Sequence, residues 1–405
     1  MKTKKKRAIA LAGGGPAAGL HIGALAALED AGIEFDVFAL SCIGAWVGIV
    51  YNTRARPNRA EQTLQFFDKH CFRDDRSYEW FPINRGFATD TQALWKAWAT
   101  FALSPKRDWG SLVLPLDIYN GLVNTASLLA NPRRWTDQEF NYWLLNDVLA
   151  VNPFTRYLTS MVYESEINGL SKIYYKDSPI LEEVFQGDCL YRNDMPDVYH
   201  NAWRLPTKTE PGRIQIFHNR RQTSAGGNER YLRISPESLC ACSALPYIEE
   251  SIFIDGHEYT EGALVDTVNF KNLLRDHPDL DEVWINRIVD ESQVKSPRNL
   301  AGALANLPMQ FAAEVGEDDV KLFRQHLLNQ SRMRPRVVEI PIDPKTHVTF
   351  DWKHSNLMQG FHEGRAAVGK LLESDAQLSR DTVEKHDGHH RNIRSRRAAL
   401  PHVHG

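Results

Sequence analysis

No window of the chain approaches the roughly 18 consecutive apolar residues of a membrane-crossing helix, so none is expected. The five cysteines, at positions 42, 71, 189, 240 and 242, form neither a C-x-x-C pair nor a Cys/His metal spacing. No structural zinc is therefore expected, and an odd number of thiols spread over 405 residues reads as reduced, unpaired cysteine. Excess positive charge is missing too: 48 Lys+Arg stand against 51 Asp+Glu, a net charge of −3, and nothing asks for a nucleic-acid partner. There is no internal repeat. The basic start MKTKKKR is followed only by AIALA before glycines intervene, too short an apolar run for a secretory leader. The chain is accordingly expected in the cytoplasm. Its lysine cluster is expected to be a solvated tail, with contact at a membrane surface or lipid inclusion left open.

What is present begins with alternation of strand and helix. RAIALA (7–12) reads as a buried strand, GGGPAAG as a turn, and LHIGALAALEDAG as a helix stopped by Gly32. FDVFAL and IGAWVGIVYNTR repeat the pattern, which is the rhythm of a parallel α/β sheet. Between 55 and 150 the composition changes, with Trp80, Trp95, Trp98, Trp109, Trp135 and Trp143 clustered there and helical spacing in TQALWKAWATFAL. That region is read as an inserted helical subdomain, either with an aromatic core of its own or acting as a lid lining an acyl-chain channel. Strands are expected at RYLTSMVY (156–163), RIQIFHN (213–219), DEVWINRI (281–288) and RVVEIPI (336–342). A hairpin is expected to turn at Asp255-Gly256, with helices around 319–330 and 354–374. The expected division is a basic tail at 1–6, an α/β domain of 7–54 and 151–374, the insertion at 55–150, and a disordered His/Arg-rich tail at 375–405.

Two turns carry chemistry. Gly13, Gly14 and Gly15 end the first strand and open a helix, so their N–H groups suit a phosphate or a developing oxyanion. No G-x-x-x-x-G-K-[ST] is present. G-x-G-x-x-G is met only with Ala18 in the last place, and Glu34 or Asp36 follows about 20 residues on, so a dinucleotide-dependent oxidoreductase stays as an alternative. The second turn is FALSCIGAWVG, Phe38–Gly48, placed as a nucleophile elbow in which strand, sharp turn and small-residue helix follow one another. Cys42 holds the nucleophile position, at a helix start that favours a thiolate, and Gly44 gives the turn room. A buried structural cysteine in a small-residue turn is the alternative.

A third segment, ACSALPYIEESIFIDGHEYTEGALVDTVNF (241–270), completes a pattern. Together LAGGGPAAGLHIGAL, FALSCIGAWVG and YTEGALVDT resemble the patatin-like phospholipases, over about 7–52 and 235–270 by motif and more loosely to about 373. The resemblance implies a three-layer α/β/α fold with a mainly parallel sheet. It further implies a serine–aspartate dyad without histidine, lipid or other carboxylic ester substrates, and no metal or cofactor. Carried over, Cys42 is the nucleophile, Glu261 its dyad partner, Gly44 the elbow glycine, and Gly13, Gly14, Gly15 and Ile43 the oxyanion hole. Four positions depart from the pattern: Cys42 replaces the serine, Glu261 the aspartate, Leu40 the elbow's first glycine, and Ala17 an arginine common beside the glycines.

A free thiol titrates near 8.5 and a glutamic acid near 4.3, so moving the proton is uphill by about 4 units, or about 6 kcal/mol. A helix N-terminus and burial of Glu261 both narrow the gap. His257 and Asp266 are alternative bases, while His21 is expected to be structural. The favoured reading is an acyl hydrolase with a thioester intermediate. The alternatives are an acyltransferase using that intermediate, or a catalytically impaired lipid-binding or regulatory protein. The oligomeric state is open.

Overall fold

Period-two alternation sends the side chains of Arg7–Leu11 (β1) to two faces: Ile9 and Leu11 join one apolar cluster, Ala8 and Ala10 another. Val37–Leu40 (β2) divides in the same way, Phe38 and Leu40 to one face, Val37 and Ala39 to the other. Strands buried on both faces need helices on both, which makes a three-layer α/β/α arrangement. The computed structural model, which describes residues 5–86, 90–103, 115–131, 136–163, 165, 167–172, 178–224, 227, 230–270, 272–329, 335–341, 343, 349 and 351–375, has that architecture.

Among the described residues the sheet has nine strands, β1 and β2 being joined by Asp197–Arg204 (β3), Arg213–His218 (β4), Leu232–Arg233 (β5), Ile252–Ile254 (β6), His257–Glu261 (β7), Glu282–Asn286 (β8) and Arg336–Glu339 (β9). Their order is β9-β8-β1-β2-β3-β4-β5, parallel from β9 to β3, with β7 pairing antiparallel to β3 and β6 to β7. The hairpin β6–β7 turns at Asp255-Gly256, both at positive φ (50° and 78°), as a tight two-residue hairpin requires. Helices Ala18–Asp30 (α1), Ile43–Thr53 (α2) and His354–Ser374 cover the face of Leu11 and Leu40. The long helix Leu300–Asn329 covers the other through Val320, Phe323 and Leu327.

Several sequence expectations change here. Residues 153–163 are helical rather than a strand: Asn152 accepts the Phe154 N–H at 2.9 Å and Pro153 takes the first position, a capping signal that outweighs the β-rich composition. The helix expected at 319–330 begins at Leu300, and β3 was not foreseen. Lys5 and Lys6 are not a loose tail, because Glu282 and Asp279 pair with them at 2.9 and 2.6 Å.

The chain forms two compact units, Met1–Phe87 with Ile173–Pro246 and Ser251–Gly405, and Ala88–Lys172 with Tyr247–Glu250. The insertion was expected at 55–150. The helices Arg59–His70 and Asp75–Trp80 belong to the first unit, and the second runs from 88 to 172. That second unit is mainly helical, with a short ladder between Gly169–Ser171 and Tyr247–Glu249 and with Trp95 and Trp98 exposed. Trp109, Trp135 and the tail beyond 375 lie outside the described residues. Among the described residues no helix is long and apolar enough to cross a membrane, and no cluster of three or more His, Cys, Asp or Glu is arranged to hold a metal.

Candidate active site

β1 and β2 end side by side, and the turns that follow them meet at the carboxyl edge of the sheet. Ser41 N–H donates to the Leu11 carbonyl at 3.1 Å, tying the second turn to the end of the first strand. Cys42 then takes φ 48° and ψ −122°, a left-handed conformation that a residue with a β-carbon adopts only under constraint. The chain reverses there into α2. Gly44 makes the reversal possible, since a Cβ at that position would lie 2.2 Å from the Leu11 carbonyl oxygen. Leu40, in the place of a small residue, is accommodated by Gly48, where a Cβ would meet Leu40 Cδ2 at 2.5 Å.

The hairpin delivers the partner. β7 pairs Glu261 with Ala202 of β3, and the Glu261 N–H donates to the Ala244 carbonyl at 3.0 Å. The Glu261 carboxyl and the Cys42 thiol are hydrogen-bonded to each other, and both residues are buried at 7% and 8% exposure. Burial lifts the Glu261 carboxyl from 4.5 to about 7, partly offset by the bond from Cys42. Burial raises the Cys42 thiol well above its ordinary value as well, and the adjacent Glu261 charge and hydrogen bond push the same way. A hydrogen bond from the Ile43 N–H to the sulfur opposes these effects. Both shifts favour the protonated forms, so the sulfur is held as a thiol and the carboxyl beside it keeps its proton to higher pH than a free glutamic acid.

The expected oxyanion residues divide. Ile43 N–H points at the sulfur. Gly15 is at φ 52°, where glycine is at ease, and Gly14 caps the short turn Gly15–Ala17. Gly13 N–H donates instead to the Thr267 carbonyl at 3.3 Å. What Gly13 supplies is space: a Cβ there would stand 2.9 Å from Ala263 Cβ and 3.3 Å from Cys42 Cβ.

Neither alternative base is joined to Cys42. His257 begins β7, four residues from Glu261 and so about 13 Å along the strand. Asp266 Oδ1 accepts the Asn269 N–H at 2.7 Å, and its carbonyl accepts from Ser41 Oγ (3.1 Å) and Asn201 Nδ2 (2.8 Å). His21 is structural: wholly buried, it bonds the Ala12 carbonyl through Nε2 at 2.9 Å, and burial lowers it to about 4.

Four supporting residues were not singled out from the sequence. Asn201 accepts from Ser41 Oγ at 2.9 Å and so links the elbow to the Asp266 carbonyl. Asn269 Nδ2 donates to the Leu40 carbonyl at 3.2 Å, and Asp319 accepts the Thr267 and Val268 N–H groups at 2.8 and 3.2 Å, fixing the loop after Glu261. The Cys242 thiol donates to the Leu239 carbonyl at 3.0 Å and lies 3.9 Å from the Cys42 carbonyl. For Asn201 and Asn269 the sequence signal is polarity inside otherwise apolar segments. Trp46, one turn beyond Cys42 on α2, anchors the Ser243 hydroxyl at 2.9 Å.

Two comparisons with known proteins found matches. The family model for patatin-like phospholipases matches residues 9–274. Among solved structures, VipD from Legionella pneumophila aligns at 10% identity and a TM-score of 0.37, over 92% of this chain and 67% of that one. No curated protein matches the chain in sequence.

Proposed function

The chain belongs to the patatin-like phospholipase family, and on that premise we propose that it hydrolyses lipid or other carboxylic esters through an acyl-enzyme on Cys42. The supporting observation is a thiol held at a left-handed elbow and hydrogen-bonded to a buried carboxyl. In the proposed cycle ionised Glu261 takes the thiol proton as sulfur attacks the carbonyl. N–H groups of Gly14 and Gly15 receive the negative charge that develops on oxygen. Glu261 then protonates the departing alcohol and leaves a thioester. Water attacks next, Glu261 accepts its proton, and the acid leaves as the thiol is restored. A base titrating near 7 is matched to such shuttling at neutral pH. An acceptor alcohol or thiol in place of water would make the same intermediate an acyltransferase.

Burial of the sulfur and its raised titration favour a second reading, a fold that binds acyl lipids without turning them over. Intact mass after incubation with a p-nitrophenyl ester separates the two. Catalysis predicts one hydroxylamine-labile acyl group on the Cys42 peptide, absent from Cys42→Ala. An unlabelled protein, or equal labelling of Cys42→Ala, sinks the nucleophile assignment.

A further inference from the structure

Outside the site, the first half of the long helix Leu300–Asn329 carries an apolar stripe left exposed among the described residues. Leu300, Leu304, Leu307 and Phe311 recur at one-turn spacing and are 89, 61, 52 and 51% exposed, while Met309, Ala312 and Ala313 on the inner face pack on the core. Charge is distributed along the same segment. From Ser292 to Ala313 there is no acidic residue, only Lys295 and Arg298, whereas Glu314, Glu317, Asp318 and Asp319 crowd the second half. Exposed Lys295 and Arg298, with Asn299 and Asn306, line a recess of about 730 Å³ at the helix N-terminus.

We infer that this half-helix docks on an anionic lipid surface, the stripe lying at the acyl boundary and the basic recess receiving a phosphate headgroup. An apolar face ending in cations, within a stretch of sequence free of acidic residues, is what an in-plane interfacial helix needs. A protein partner helix would need the stripe but not the basic recess. The segment also leads to the proposed site: Asp319 of the same helix holds the loop after Glu261. The choice of lipid rests on the ester-hydrolase reading, but the binding itself does not require turnover.

Co-sedimentation of the full chain with vesicles tests it. Phosphatidylcholine mixed with phosphatidylglycerol should bind the protein, phosphatidylcholine alone much less, and added salt should release it. Leu304→Glu with Leu307→Glu should weaken partitioning at least about tenfold, since two leucines leave the acyl region. Lys295→Glu with Arg298→Glu should remove the preference for the anionic lipid. Both double variants should hydrolyse a soluble p-nitrophenyl ester as the native chain does, showing that they are folded. Three results overturn the inference: native protein that stays in the supernatant, both double variants binding vesicles undiminished, or a stripe variant that alters only the mass at sedimentation equilibrium, which would assign the stripe to a second copy of the chain. Cys42→Ala should bind vesicles normally. Stripe-dependent binding without any ester hydrolysis would reject the catalytic reading and leave this one standing.

Discussion

Replacing Glu261 by glutamine should stabilise the protein above neutral pH while disabling it. Burial lifts the carboxyl from 4.5 to about 7, so ionising it costs about 3 kcal/mol more in the folded chain than in the unfolded one, at about 1.4 kcal/mol for each of the 2.5 units. A carboxyl raised in this way contributes stability while protonated, fully below its unfolded value of 4.5, and that contribution is lost as pH climbs through about 7. Glutamine keeps the shape and never ionises. Glu261→Gln should therefore melt higher than the native protein above pH 7, with the gain fading towards pH 4.5. Catalytically it cannot accept the Cys42 proton, and loss of a general base costs about 10²- to 10⁴-fold in rate. The native rate with a soluble ester should rise through an inflection near pH 7, and the variant should lose that inflection. Thermal melts and pH–rate profiles on both proteins are sufficient. A Glu261→Gln protein that keeps most of the native rate and its inflection would refute the base assignment. One that melts lower than native at high pH would refute the burial argument.

Other substitutions test the frame. Gly44→Ala presses a Cβ to 2.2 Å from a backbone oxygen that has no room to retreat and should cost about 3 kcal/mol in a denaturant melt. Gly48→Ala meets the flexible Leu40 side chain instead, so its smaller loss should be largely relieved in a Leu40→Ala background, a coupling that a double-mutant cycle reads directly. Cys42→Gly should abolish acylation yet melt higher than Cys42→Ala, which loses the same thiol but keeps the strain of φ 48°, worth about 1 kcal/mol. Burial lowers His21 to about 4 and His200 to about 3 from 6.5, so stability is full above 6.5 and drains as pH falls towards those values. His21→Asn should show a shallower loss of melting temperature between pH 6.5 and 4.

The elements that sequence could place were those whose apolar pattern coincides with punctuation. GGG after RAIALA, Gly32 after α1 and Asp255-Gly256 in the hairpin mark turns by backbone chemistry, and the structure has turns at each. β3 escaped because DVYHNAWR interrupts its apolar side chains with His200 and Asn201. Both are fully buried, His200 bonding Ser238 at 2.9 Å and Asn201 holding the elbow, so the polarity that hid the strand is what the site uses. At 153–163 the reverse occurred, since Val, Thr and Tyr suggested a strand while Asn152-Pro153 set the helix. The Gly13 N–H could not be assigned from sequence either, because its acceptor is the Thr267 carbonyl, far along the chain.

Packing alone gives a partial account of Cys42 and Glu261. A buried thiol and a buried carboxyl satisfy one another by hydrogen bonding, and such a pair could persist as a structural remnant on any backbone. Two costs are not explained that way. Keeping Cys42 left-handed takes about 1–3 kcal/mol, when glycine would sit there without strain. Keeping an ionisable group at 261 takes about 3 kcal/mol above pH 7, when glutamine would fill the same space. Both costs fall on the two side chains to which the proposed acyl transfer assigns the chemistry, one at the elbow and the other with its titration raised to about 7. The proposed proton transfer from Cys42 to Glu261 gives both costs a use, which packing alone does not.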